Sequence, residues 1–289
     1  LVHHGQAAVS RFAISPWLAP AAVPRRSSRL GGKQGTRAPM TLRLEKHGPV
    51  THLLIDRADK RNAFNIAMWR LLPDLLAQAS ADPECCVLVV KSAGGAAFSA
   101  GADIAELVAN REDMTWHAQN QQAINRAQFE LTRFRLPTVA MIEGDCIGGG
   151  CGLALACDLR LAAAGARFGI TPAKLGIVYP LHDVKLLVDL VGPGQARRML
   201  FTGMLIDASE AHRIGLVETL APNEDELVAQ IVAASSHSTQ AIKGFVRNVL
   251  DGQAQDDARS LQVFAAAFGG PDFKEGTAAF LEKRKPIFG

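Results

Sequence analysis

The sequence predicts an α/β fold: a core of short buried strands with helices outside, followed by a helical appendage. Short apolar runs such as "VLVV" (87–90) alternate with longer amphipathic segments, the pattern of strands covered on both faces. Strand signals stop near residue 224, beyond which helical periodicity covers 224–236, 238–250, 255–268 and 272–284. A composition of 48% hydrophobic and 20% charged residues over 289 positions is that of an ordinary globular chain with a sizeable core. Three stretches follow: a basic extension (1–39), a core (40–223) and a helical region (224–289).

"LRLEKHGPVTHLLIDR" (42–57) alternates apolar and polar residues around His47-Gly48-Pro49, which predicts a β-hairpin. Polar "ADKRNAFN" (58–65) leads into an amphipathic helix over 66–80, and Asp82-Pro83 breaks it. "CCVLVVKSA" (85–93) reads as a buried strand. "GGAAFSAGADIAELV" (94–108) is a small-residue loop entering a helix near Asp103. A long helix is expected over 115–134, ended by Pro137, then a strand in "TVAMIEG" (138–144). After three consecutive glycines comes a small apolar helix, and "DLRLAAAGARFGI" (158–170) suggests two more short strands.

Charge and cysteine usage narrow the classes. Residues 1–39 hold six Arg and Lys and no Asp or Glu, which leaves 25 basic against 28 acidic residues in the body. A nucleic-acid role would rest on that extension alone, without interleaved aromatics. The extension is rich in Pro, Gly, Ser, Ala and Arg, so it is expected to be disordered; it reads as an organelle transit peptide or as residues upstream of a true start at Met40. The five cysteines form no C-x-x-C pair, so no zinc site is expected, and reduced thiols suit a cytoplasm-like compartment. The mitochondrial matrix is the alternative if 1–39 is a transit peptide.

Two loops carry the candidate chemistry. In "GDCIGGGCGLALACD" (144–158) the glycines stand directly before a helix. A helix start has unpaired N–H groups and a partial positive charge, and glycines leave them bare. "FSAGADI" (98–104) has the same design. Together the loops can aim two N–H donors at one oxygen, an oxyanion hole. Either loop alone also reads as a tight turn with close packing. Walker, dinucleotide-binding and nucleophile-elbow patterns are missing at both.

These loops, with "RFGITPAKLGI", "FTGMLIDASEAHRIGLVE" and "FKEGTAAFLEKRKPIF" in order, resemble the enoyl-CoA hydratase/isomerase (crotonase) superfamily from about Met40 to Gly289. The resemblance implies a crotonase-like spiral of β-β-α repeats, a helical C-terminal trimerisation region, and a homo-trimer or a hexamer of two trimers. It implies an acyl-CoA thioester substrate and no cofactor or metal beyond the coenzyme A of that substrate. The oxyanion donors carry over to Ala102 and Gly149. Ala100, Asp103, Ile104 and Gly148 fall on the substrate side of the same loops. Lys60 and Ala63 fall at the adenine end, and Lys283 or Lys285 near the coenzyme A phosphates.

The resemblance also implies two glutamates where this chain has Gly152 and Pro172. Neither can transfer a proton through its side chain, so classical hydration is not expected. "GIVYPLHDVKLL" (176–187) stands where a glycine-rich loop is more usual and brings Tyr179, the only Tyr, with His182 and Asp183. These read as substrate-facing groups or as a loop edge and helix cap. "TPAKLGIVYP" resembles the methylmalonyl-CoA decarboxylase stretch in which a Tyr faces substrate. The alternatives are therefore decarboxylation using Tyr179, or acyl-CoA binding without turnover.

Overall fold

The computed structural model describes residues 41–288; the basic extension 1–39 and the expectations placed on it lie outside the described residues. The hairpin is β1 (Leu42–His47) and β2 (Val50–Ile55), paired antiparallel from Leu42↔Ile55 to His47↔Val50. Helix α1 (Ile66–Ala81) is capped by Asn65, whose side chain accepts from the Met68 amide. Then follow β3 (Val87–Ser92), β4 (Ala97–Ser99), α2 (Ile104–Ala109) and α3 (Met114–Thr132). Strands β5 (Thr138–Ile142) and β6 (Asp145–Ile147) precede α4 (Gly149–Leu155), and β7 (Leu159–Ala162) and β8 (Arg167–Gly169) follow it. Next come a 3-10 turn at Pro172–Leu175, α5 (Leu181–Thr202), β9 (Leu205–Asp207), α6 (Ala208–Arg213) and β10 (Thr219–Leu220). Four helices close the chain: α7 (Asp225–Val232), α8 (Ser236–Leu250), α9 (Ala258–Ala267) and α10 (Pro271–Glu282).

The strands form two sheets, ordered β1-β2-β3-β5-β7-β10 and β4-β6-β8-β9. The pairs β3–β4, β5–β6 and β7–β8 each place one strand in the first sheet and the next in the second. Within both sheets these strands run parallel, so the chain winds as a repeated ββα coil. Strand alternation divides the core. Leu88 and Val90 face the main cluster with Phe64, Met68, Trp69 and Phe168, while Val87 and Val89 face a smaller cluster with Val139, Met141 and Val228 of α7. All these side chains are buried.

Two expectations need correction. Residues 94–103 are not all loop: β4 lies within them and is too short to show a period. The long helix stops at Thr132, four residues before the last non-proline position, with the Arg133 amide already bonding back to Phe129. Pro137 therefore does not end it; the chain turns early so that Phe134 and Leu136 can be buried.

Candidate active site

The two small-residue loops meet at the ends of neighbouring strands, because β4 pairs with β6 in the second sheet. Gly101 has φ +94, and a Cβ there would lie 2.7 Å from the Ile147 carbonyl oxygen and 3.2 Å from the Gly149 nitrogen. A Cβ on Gly150 would lie 2.6 Å from the Ser99 carbonyl oxygen. Any larger residue at either position would push the loops apart. At Gly149 itself a Cβ would sit 3.8 Å from the Ala102 nitrogen. The two amides predicted as donors are thus brought side by side.

Their hydrogen bonding is informative. Around Ala102 the Phe64 amide donates to the Gly101 carbonyl (2.7 Å) and the Asp103 amide to the Phe64 carbonyl (2.9 Å). Gly148 donates to the Gly169 carbonyl (2.8 Å), and Gly152 to the Gly148 carbonyl (3.1 Å). The Ala102 and Gly149 N–H groups have no acceptor among the described residues. Both residues are half-buried, so the pair is a ready site for an oxygen carrying negative charge.

Of the other sequence-predicted residues, Ala100 donates its amide to the Arg61 carbonyl (2.9 Å). Asp103 caps α2, accepting from the Ala105 (3.0 Å) and Glu106 (3.2 Å) amides, and pairs with Arg57 at 2.7 Å. Burial pushes its carboxyl up, but the Arg57 guanidinium and those amides outweigh it and hold the pKa below the usual range. Its side chain is committed to structure. Arg57 also donates to the Ala63 carbonyl (2.9 Å), which fixes the buried Ala63, while Lys60 and Ile104 are exposed. Pro172 opens the exposed 3-10 turn. Lys283 and Lys285 are exposed at the far end of the chain.

Tyr179 is buried, and its hydroxyl donates to the Gly148 carbonyl at 3.1 Å. Burial, and next the Asp183 charge, push its pKa well up, so it stays protonated. His182 is half-buried with Nε2 unpartnered; burial, then Arg247, Lys185 and Arg133, keep it neutral. Asp183 lies in the first turn of α5 at 2% exposure. Burial pushes its carboxyl up to about 7, opposed by the Gln128 amide. Gln128, on α3, was not among the expected site residues. It is fully buried beside Ala127 on the stripe Ala123, Ala127, Leu131, and a polar residue on an apolar stripe is the signal that marks it.

A large cavity of about 1500 Å³ lies elsewhere, between the end of α3 and helices α8 to α10, lined by Phe264, Phe268 and Phe280 among others. Neither Ala102 nor Gly149 is among its lining residues. No cluster of His, Cys, Asp and Glu able to hold a metal ion occurs among the described residues. Their helices include none long and apolar enough to cross a membrane.

Comparison with known proteins gives this two-sheet ββα coil a family. The enoyl-CoA hydratase/isomerase profile matches residues 45–289. This chain belongs to the enoyl-CoA hydratase/isomerase family and has the crotonase-like fold. It is 35% identical to the crotonyl-CoA hydratase of Syntrophomonas wolfei over 256 residues, covering 85% of this chain and 96% of that one. It is 32% identical to the short-chain-enoyl-CoA hydratase of Clostridium acetobutylicum, covering 84% and 95%. A crystal structure of an enoyl-CoA hydratase/isomerase family protein from Hyphomonas neptunium superimposes with a TM-score of 0.83 at 35% identity, covering 86% of this chain and 98% of that chain.

Proposed function

We propose that this protein binds an acyl-CoA thioester and stabilises its enolate by two hydrogen bonds, from the N–H groups of Ala102 and Gly149. The carrying observation is that these two amides stand side by side with no acceptor of their own. Removing one such donor typically costs roughly 3 kcal/mol of transition-state stabilisation. Gly148, Ala100 and Ile104 border the thioester, and Lys60 and Ala63 lie toward the adenine end. With Gly152 and Pro172 where hydratases carry acid–base groups, addition of water to crotonyl-CoA should be slow, since each such group typically contributes ~10²–10⁴-fold.

Acetoacetyl-CoA tests the reading, because its enolate absorbs where the neutral ketone does not. Binding that enriches the enolate on the protein is expected. Binding without enrichment, or no binding, would overturn the reading. Decarboxylation is the second reading, favoured by Tyr179 beside the Gly148 carbonyl. Against it, the Asp183 carboxyl at the same spot repels a substrate carboxylate once ionised. Turnover of methylmalonyl-CoA, and its loss in Tyr179→Phe, would establish it. Enolate binding with no turnover over a panel of thioesters would make the chain a binding member.

A further inference from the structure

The glycine at 152 is not an empty place. A Cβ there would come 2.5 Å from Gln128 Nε2, 3.0 Å from Asp183 Oδ1 and 3.2 Å from the Tyr179 hydroxyl. Side chains from α3, from α5 and from the segment before α5 converge where the side chain of residue 152 would otherwise begin. Asp183 is 2% exposed and Gln128 fully buried. Asp183 Oδ1 and both amide atoms of Gln128 have no hydrogen-bond partner. They are three of seven such buried atoms among the described residues, so the unpaired polar groups concentrate at this spot. Buried polar atoms left unpaired cost free energy, and a catalytic role is one reason such a group is retained.

The cluster is also next to the reacting centre. Gly152 lies three residues after Gly149 on α4, hence on the same helix face and ~4.5 Å along the axis. The Tyr179 hydroxyl links the cluster to the Gly148 carbonyl, whose peptide carries the Gly149 N–H.

We propose that Asp183 is the catalytic acid–base group, taking a proton from the acyl carbon beside the thioester carbonyl and returning it. The inference rests on the thioester reading above and deepens it. The Asp183 carboxylate takes the α-proton. The C–H electron pair becomes the bond between the α-carbon and the carbonyl carbon, and the carbonyl pair moves to oxygen, held by the Ala102 and Gly149 N–H groups. Return of the proton to the α-carbon regenerates the thioester, with solvent hydrogen if the acid has exchanged in the meantime. Return to the γ-carbon of a β,γ-unsaturated chain moves the double bond into conjugation. Neither path consumes a co-reactant, and one carboxyl group suffices, which fits a chain with Gly152 and Pro172.

The surroundings leave Asp183 as the titrating group near neutrality. Facing it are the amide of Gln128 from α3, the Tyr179 phenol, and behind Tyr179 the Cys151 thiol of α4 and the Cys146 thiol of β6. Burial holds the phenol and the Cys146 thiol protonated. The cations Arg247, Lys185 and Arg133 lie around neighbouring His182. An acid–base group titrating at about 7 matches a working pH near neutral.

The test is deuterium uptake from D₂O into the α-position of butyryl-CoA, read by mass spectrometry across pH, alongside acetoacetyl-CoA enolate binding. Wild-type exchange should rise with pH and level off above about 7. Asp183→Asn should lose ~10²-fold or more of the exchange, lose the inflection, and keep enolate binding. Asp183→Glu should recover part of the exchange. Wild-type exchange that is absent or shows no such inflection, or Asp183→Asn exchanging as fast as wild type, would overturn the assignment while leaving the oxyanion reading intact. Failure of wild type to bind the enolate would overturn both.

Discussion

At the residue scale, a carboxyl without full partners inside a protein has a measurable cost. Asp183 has an ordinary carboxylate pKa when unfolded and one of about 7 when folded. Its folded pKa is raised, so its contribution to stability is fully present below about pH 4 and is lost as pH rises through 7. At pH 8 the folded protein carries the ionised group at a penalty of about 4 kcal/mol at most, from 1.36 kcal/mol per pH unit. Asp183→Asn should therefore raise Tm by several degrees at pH 8 and by much less at pH 5, measured by calorimetry. A gain at high pH joined to a loss of exchange is what a site kept for chemistry at the expense of stability produces. Tyr179 has a different residue-scale role. In a trans peptide the Gly148 carbonyl and the Gly149 N–H point in opposite directions. By holding that carbonyl at 3.1 Å, the hydroxyl sets the plane that aims the N–H at the oxyanion. Tyr179→Phe should slow exchange by about tenfold, the worth of one hydrogen bond of ~1–1.5 kcal/mol, with Kd for free coenzyme A unchanged by calorimetric titration.

At the element scale, packing around the start of α4 explains what was and was not legible in the sequence. The loops at 98–104 and 144–158 were legible because small residues are a local signal, and the structure brings their amides together. The hairpin, α1 and the C-terminal helices were legible from their periods. Strands β4, β6 and β8 have three residues each; that is too few to show alternation, so β4 and β6 were not read, and β8 was read only as a short strand after β7. Gln128 was missed because α3 is polar on most faces, so the short stripe Ala123, Ala127, Leu131 that it adjoins is easily overlooked. The same packing makes a prediction. Gly152→Ala must displace Gln128 Nε2, 2.5 Å from the new Cβ, and overpacking of this kind costs about 1–3 kcal/mol. Gln128→Ala should relieve most of that loss in the double variant, a coupling that a thermal-denaturation cycle reads directly. Gly152→Glu alone should not produce a hydratase, because its carboxylate would meet Gln128 and Asp183 before it met a substrate.

At the scale of the whole molecule, the C-terminal helices turn apolar side chains outward. On α8, Ile242, Val246 and Val249 are exposed at i, i+4 and i+7, and on α9 with its C-cap, Leu261, Phe264 and Phe268 at i, i+3 and i+7. Each is the apolar stripe of an amphipathic helix turned outward. On α10, Phe280 and Leu281 are about four-fifths exposed, at 82% and 80%. Apolar stripes of this extent mark a protein interface. Helix α8 is nonetheless anchored to the core: its Lys243 pairs with Asp158 at 2.7 Å and donates to the Leu136 carbonyl at 2.8 Å. A second copy of this chain is the occupant we propose, and closed self-assembly as a trimer, or as a dimer of trimers, would cover these faces. Sedimentation velocity at micromolar concentration should give a mass near three or six times the 30.8 kDa chain. Phe280→Lys with Leu281→Lys should shift it toward one chain, because two buried charges without partners cannot be desolvated at an interface. A wild-type monomer, or a double variant that assembles normally, would show that these faces serve something other than self-association.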